Sequence, residues 1–246
     1  MQRFQRHACI LLLSVIAVCV AEKSVSARTY YVRTRGNDRN SGTSANSSFK
    51  TVARALQQNL TYGDTVYIGA GTYSSGGAVR ALANDSFGDG QGGPGQANAL
   101  LARPLRIVAD TTGRFTGDRG NVVVAALNRW AFTVSNNASV QFEGLIFGPS
   151  LNDGRYYGVY ANGVSASVTV VNCRFQNVYY GGLVYSGRLI ASNCDFVGNV
   201  YGAYGSNLAN GALLNCRFSD AASYAAVLHS HDVLIRNCSF DKSKNG

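Results

Sequence analysis

Apolar residues in the second half of this 246-residue chain fall into the same four columns, five times over. Val168, Val170, Cys173 and Phe175 are followed by Leu189, Ala191, Cys194 and Phe196. Gly211, Leu213, Cys216 and Phe218 come next, then Val233, Ile235, Cys238 and Phe240. Val140, Phe142, Leu145 and Phe147 form an earlier, cysteine-free copy. Two alternating apolar positions, a break of two residues and two more predict a pair of strands joined by a tight bend. The bend residue is Gly144 once, and thereafter Asn172, Asn193, Asn215 and Asn237. Gly and Asn are the residues that tolerate left-handed backbone. The cysteines lie 21, 22 and 22 residues apart, a spacing that predicts stacked repeats. Tyr179-Tyr180-Gly181-Gly182, Tyr201-Gly202-Ala203 and Tyr224-Ala225-Ala226 hold equivalent places before a third strand in each unit.

The first half is less regular. Strands are predicted at Tyr30–Val32, Thr65–Ile68, Leu105–Ala109, Val122–Ala125 and Arg129–Val134. Phe49, Val52, Ala53, Leu56 and Leu60 recur at helical spacing, which predicts about three turns of amphipathic helix. Ser47 or Ser48 would be its N-cap. The glycine-rich stretch 74–98 reads as a loop insertion, and a second one is expected around Pro149–Tyr157.

Several short motifs of the first half occur in a telling order. They are Tyr30-Tyr31-Val32, Gly36-Asn37-Asp38 with Ser41-Gly42-Thr43, and Phe49-Lys50-Thr51-Val52 with Ala55-Leu56. Gly63-Asp64-Thr65-Val66-Tyr67-Ile68 and Gly71-Thr72-Tyr73 follow. This series resembles the opening of secreted right-handed parallel β-helix proteins of the pectate-lyase-like superfamily. The resemblance covers Thr29 to Gly246 and implies an all-β fold, a right-handed parallel β-helix (solenoid) with an N-terminal capping helix. Residues 28–73 would form the cap and first rung, and 74–246 the remaining rungs. It speaks to fold, because the matching residues belong to the cap and not to a catalytic site.

Arg3 and Arg6 precede an apolar run from Ala8 to Ala21, followed by small-residue cleavage sites, so residues 1–27 read as a signal peptide. A secreted or extracytoplasmic location is expected, with no membrane span in the mature chain. Removing the leader takes three of the 22 basic residues and one of the 13 acidic ones, which leaves a net +7, mostly arginine. An exported, arginine-rich chain suits an acidic polymer. Without a basic cluster, nucleic acid is not an expected partner.

The columns themselves read as architecture. The cysteines point inward as a reduced stack of small spacers, with two disulfides as the alternative. The asparagines suggest an amide ladder. Arg174, Asp195, Arg217 and Ser239 form an outward column of alternating charge. His229-Ser230-His231-Asp232 reads as a solvated turn.

The candidate substrate-binding residues are Arg155, Tyr156, Tyr157, Tyr160, Tyr180, Arg188 and Tyr201. Tyrosine rings would stack on sugars while Arg155 and Arg188 pair with uronate carboxylates. Two functions stay open. One is binding and lyase-type cleavage of an acidic, uronate polysaccharide. The other is non-catalytic binding of a cell-surface glycan or another surface. No catalytic residue stands out, and hydrolysis would need a carboxylate pair that the scattered acids do not suggest. No cofactor is evident, although Ca²⁺ is a cation that uronate elimination often uses. Nor does the sequence show a polar cap after Phe240, so either the array continues in further residues or another chain covers it by end-to-end association.

Overall fold

The computed structural model describes residues 26–74, 77–79, 104–125, 130–135, 138–149, 156–163, 165–230 and 232–242. Residues 1–25 of the expected signal peptide and most of the 74–98 insertion lie outside these residues.

The chain winds through two parallel sheets, one of twelve strands and one of seven. The larger folds along the bends of its two longest strands into two arms, called sheet A and sheet C below, and the smaller is sheet B. Sheet A opens with β1 (Thr29–Val32), which pairs with β2 (Thr65–Ile68). β2 is followed by β3 (Gly71–Tyr73) in sheet B and β4 (Gly77–Val79) in sheet C. The next turn is β5 (Leu105–Ala109), β6 (Val122–Val124) and β7 (Trp130–Val134), and the next is β8 (Ser139–Glu143), β9 (Ile146–Phe147) and β10 (Tyr157–Asn162). β11 (Ser167–Val171) and β12 (Arg174–Gln176) lead into β13 (Tyr180–Ser192), and β14 (Asp195–Val197) leads into β15 (Tyr201–Leu214). β16 (Arg217–Ser219), β17 (Tyr224–Ser230), β18 (Val233–Arg236) and β19 (Ser239–Asp241) complete the array. β13 and β15 are long because each runs through sheet C, bends, and continues into sheet A. The architecture is a parallel β-helix.

The predicted columns are in register. Val140, Val168, Leu189, Gly211 and Val233 are successive partners, as are Phe147, Phe175, Phe196, Phe218 and Phe240. Each bend residue is left-handed, with φ of 71° at Gly144 and 52–54° at Asn172, Asn193, Asn215 and Asn237. The amide ladder is seen at one step, where Asn237 Nδ2 donates to Asn215 Oδ1 at 3.2 Å. Cys173, Cys194 and Cys216 are buried free thiols, and Cys238 is a partly exposed one. Their Sγ atoms donate to nearby carbonyls, Cys194 to Ser192 O at 3.3 Å among them. The Phe rings stack at 4.5 to 5.0 Å and within 6° of parallel. In the last rung Val233, Ile235 and Phe240 are 40–50% exposed, since no described strand stacks on them.

Two expectations need correction. The helix is α1 (Val52–Leu56), five residues and not three turns, with Thr51 as its N-cap. Asp38 accepts from Lys50 N, Thr51 N and the Thr51 hydroxyl, which holds Thr51 extended at φ −116° and ψ 145°. Phe49 is drawn into a bridge with Val32, so neither serine can start the helix. α1 packs against β1 and β4. The second correction is β4, a strand paired to β7 where the sequence suggested the beginning of a loop.

Candidate functional site

From β7 onward each strand of sheet C begins with an aromatic residue. Trp130, Tyr157, Tyr180, Tyr201 and Tyr224 are successive register partners on β7, β10, β13, β15 and β17. Their rings form an external stack, at 6.4, 5.2, 4.5 and 5.9 Å between neighbours. The three central tyrosines are within 9° of parallel. The residue after the aromatic is small in every case: Ala131, Gly158, Gly181, Gly202 and Ala225. At the three glycines the inner Phe column forces this. A Cβ on Gly158, Gly181 or Gly202 would lie 2.8 Å from the ring of Phe175, Phe196 or Phe218, and closer still to a backbone carbonyl. Buried Asn199 ties the preceding turns together, its Oδ1 accepting from Val178 N and its Nδ2 donating to Phe175 O, both at 3.0 Å.

Side chains point outward again three residues into the strand, at Tyr160 and Tyr204, which share a register column two rungs apart. Tyr204 stands edge-to-face to Tyr180 at 5.4 Å and to Tyr201 at 5.9 Å. Tyr160 lies 5.6 Å from Trp130. Trp130 and Tyr224 are 36% and 42% exposed, whereas Tyr160, Tyr179, Tyr180, Tyr201 and Tyr204 are partly exposed.

The candidate residues named from sequence do not form one cluster. Tyr157, Tyr160, Tyr180 and Tyr201 meet on this edge, although Tyr157 is only 5% exposed between its neighbours. Tyr156 turns inward at 2% exposure and donates its hydroxyl to Val124 O at 3.0 Å, so it belongs to the core. Arg155 lies outside the described residues. Arg188 lies at the opposite margin of the sheet, where β13 bends into sheet A. Eight residues separate it from Tyr180, roughly 25 Å of extended strand at about 3.3 Å per residue, shortened by the bend. Its Nε is buried and has no hydrogen-bond partner. Such an orphaned donor costs about 1–3 kcal/mol. Tyr204, one of the tyrosines that the sequence gathers around the third turn, joins the edge as well, and Trp130 joins it unforeseen. The signal for Trp130 was the aromatic-small dipeptide, which Trp130-Ala131 shares with the tyrosine copies.

Stacking decides what this face can offer. Rings 4.5–5.2 Å apart leave no space for a sugar between them. The central ladder therefore presents ring edges, repeated at the rung spacing of about 4.8 Å. Tyr160, Tyr204 and the two ends of the ladder supply the remaining aromatic surface. None of the described strands of sheet C carries Asp or Glu. His229 is exposed on the same sheet, 6.5 Å from Tyr204, and Asp232 is exposed beyond it. Among the described residues no three His, Cys, Asp or Glu side chains come together as a metal cluster. The cysteine column is poorly suited to thiolate chemistry. The contact with Cys173 and burial push the Cys194 thiol up, and the contact with Cys194 and burial do the same to Cys216.

No curated protein sequence matches the chain. Among solved structures it is similar to a rhamnogalacturonan lyase, with a TM-score of 0.49 and 15% identity over 89% of this chain and 59% of that one. This chain thus spans 59% of the lyase's length. It is also similar to the GH136 lacto-N-biosidase from Eubacterium ramulus, with a TM-score of 0.47 and 12% identity over 80% of this chain and 43% of the other. The family model described as right handed beta helix region matches residues 121–246. That match takes in just over half of the 246 residues and the whole in-register array from β6 to β19, and the chain belongs to the right-handed β-helix family.

Proposed function

We propose that this protein binds polysaccharide along the aromatic edge of sheet C, with the glycan running parallel to the helix axis. The observation that carries the reading is the in-register series Trp130, Tyr157, Tyr180, Tyr201 and Tyr224, flanked by Tyr160 and Tyr204. Aromatic rings on a surface combine apolar area with a polar tip, which suits the mixed faces of sugar rings. A repeat of about 4.8 Å per rung is comparable with the length of one pyranose unit, so successive sugars would meet equivalent side chains.

Binding is better supported than cleavage. None of the described strands of this sheet carries the Asp or Glu from which the carboxylate pair of glycoside hydrolysis would be built. Lyase chemistry remains the catalytic form of the proposal, with Ca²⁺ as the cation to supply. The test is affinity electrophoresis through gels containing pectate, alginate, a glycosaminoglycan or a neutral glucan. Absorbance of unsaturated products is followed in parallel, with and without Ca²⁺. Retardation by at least one polymer, relieved in Tyr204→Ala, is the expected result. Retardation without product identifies a binding protein, and absence of retardation in every gel overturns the reading.

A further inference from the structure

The structure assigns a second site, at the corner where sheet C passes into sheet A, and we infer that it takes an oxyanion on Arg188. This site is separate from the aromatic edge and does not depend on it. β13 turns the corner through Ser186 and Gly187, at φ 58° and 95°. Gly187 sits hard against the rung before it, where an added Cβ would meet Ala166 O at 2.3 Å and Gly163 O at 2.9 Å. Arg188 N then donates to Ala166 O at 2.8 Å, which fixes the root of the side chain on that rung.

The guanidinium starts partly buried from this root and finds no acceptor for Nε. Five other arginines are ion-paired, and Arg54, partly buried without an ion pair, donates its Nε to Asp38 O at 3.0 Å. Arg33, whose side chain is 9% exposed, is held by Asp118 at 2.6 Å, and Arg28, Arg35, Arg106 and Arg174 each have a carboxylate within 4 Å. Arg188 has no ion pair among the described residues. Its register neighbours are neutral, Ser167 on one side and Asn210 on the other. Asp232, the nearest acid along that column, is one rung beyond Asn210 and exposed.

A partly buried cation with an orphaned donor, between a hydroxyl and an amide, is arranged to receive a group with several oxygens. The planar fork of arginine matches a carboxylate or a sulfate. Ser167 and Asn210 would then donate to the oxygens that the fork does not reach. A uronate carboxylate and a sulfate ester share this chemistry, so the two are separated by experiment.

Thermal unfolding of the full chain is followed in galacturonate, in sodium sulfate and in sodium chloride at matched ionic strength. Wild type should gain Tm with the logarithm of the preferred anion and not with chloride. In Arg188→Met the unliganded Tm should stay level or rise, because an unpaired buried donor is removed, and the anion-dependent gain should vanish. Arg188→Lys keeps the charge without the fork and should weaken the apparent affinity about 10- to 100-fold. Tyr204→Ala should leave the anion response unchanged, which separates this site from the aromatic edge. Equal anion gains in wild type and Arg188→Met, or no gain over chloride in wild type, overturn the assignment.

Discussion

Two stacks of aromatic rings run side by side through this molecule, one inside it and one outside. The inner stack, Phe147 to Phe240, has ring separations of 4.5 to 5.0 Å. The outer one, Trp130 to Tyr224, has separations of 4.5 to 6.4 Å. The same rung repeat builds both, and the glycine column between them lets the Phe rings approach the strand that carries the tyrosines. Their energetics differ. Phe147, Phe175, Phe196 and Phe218 are at most 3% exposed and are withdrawn from water almost completely. The outer rings are graded from 5% exposed at Tyr157 to 42% at Tyr224, and the sheet already has its ladder of backbone hydrogen bonds without them. Periodic stacking alone therefore does not distinguish scaffold from site. Burial and the loss on truncation do.

The largest expected effect is on the inner stack. Phe196→Ala removes a ring that touches Phe175 and Phe218 on both faces, and should cost about 3–5 kcal/mol in urea unfolding. Gly202→Ala tests the link between the stacks. Its Cβ would lie 2.3 Å from Ala225 O and 2.8 Å from Phe218, so the rung must shift, at a cost of roughly 1–3 kcal/mol. A neutral Gly202→Ala would show that the rungs slide freely, and the Phe column could not then be what keeps that position small.

The middle of the scale belongs to the outer stack. Tyr201→Ala breaks ring contacts with Tyr180, Tyr204 and Tyr224 and should cost only about 0.5–1.5 kcal/mol. Its effect on glycan retardation should be the larger one. If Tyr201→Ala unfolds the protein as thoroughly as Phe196→Ala while polymer binding survives in the folded fraction, the outer stack is scaffold and the proposed site falls.

Much of this contrast was legible in the sequence, and the reason lies in particular positions. The inner columns could be aligned because inward positions of stacked rungs accept few residue types, so Leu145 could stand in for cysteine, and the bend beside them needs left-handed backbone, so Gly144 could stand in for asparagine. Outward positions carry no such restriction. Tyr156 and Tyr157 are adjacent and alike in sequence, yet one hydrogen-bonds inside the core and the other joins the outer stack. Arg188 and the tyrosines looked close because the chain is short between them. A strand is extended, however, and carries the two to opposite margins of one sheet. The helix was overestimated because Phe49 and Leu60 fit its period but are buried by other contacts: Phe49 bridges to Val32, and Asp38 holds the N-cap at Thr51.

The smallest expected effect comes from a third column, which provides the control for the other two. Arg174, Asp195 and Arg217 are register partners on the outer side of sheet B. Arg174 and Asp195 approach to 3.8 Å with their side chains 45% and 48% exposed. An ion pair so open to water competes with solvation and is screened by salt, so Asp195→Asn should change stability by less than about 1 kcal/mol. That small change should shrink further at high ionic strength. Glycan retardation should be the same as in wild type, because this column faces away from sheet C. The outcome matters for the outer aromatic stack as well. If Asp195→Asn released the polymer as fully as Tyr204→Ala does, periodic outward display on any sheet would suffice for binding. The aromatic character of sheet C would then lose its claim to be what recognises the sugar.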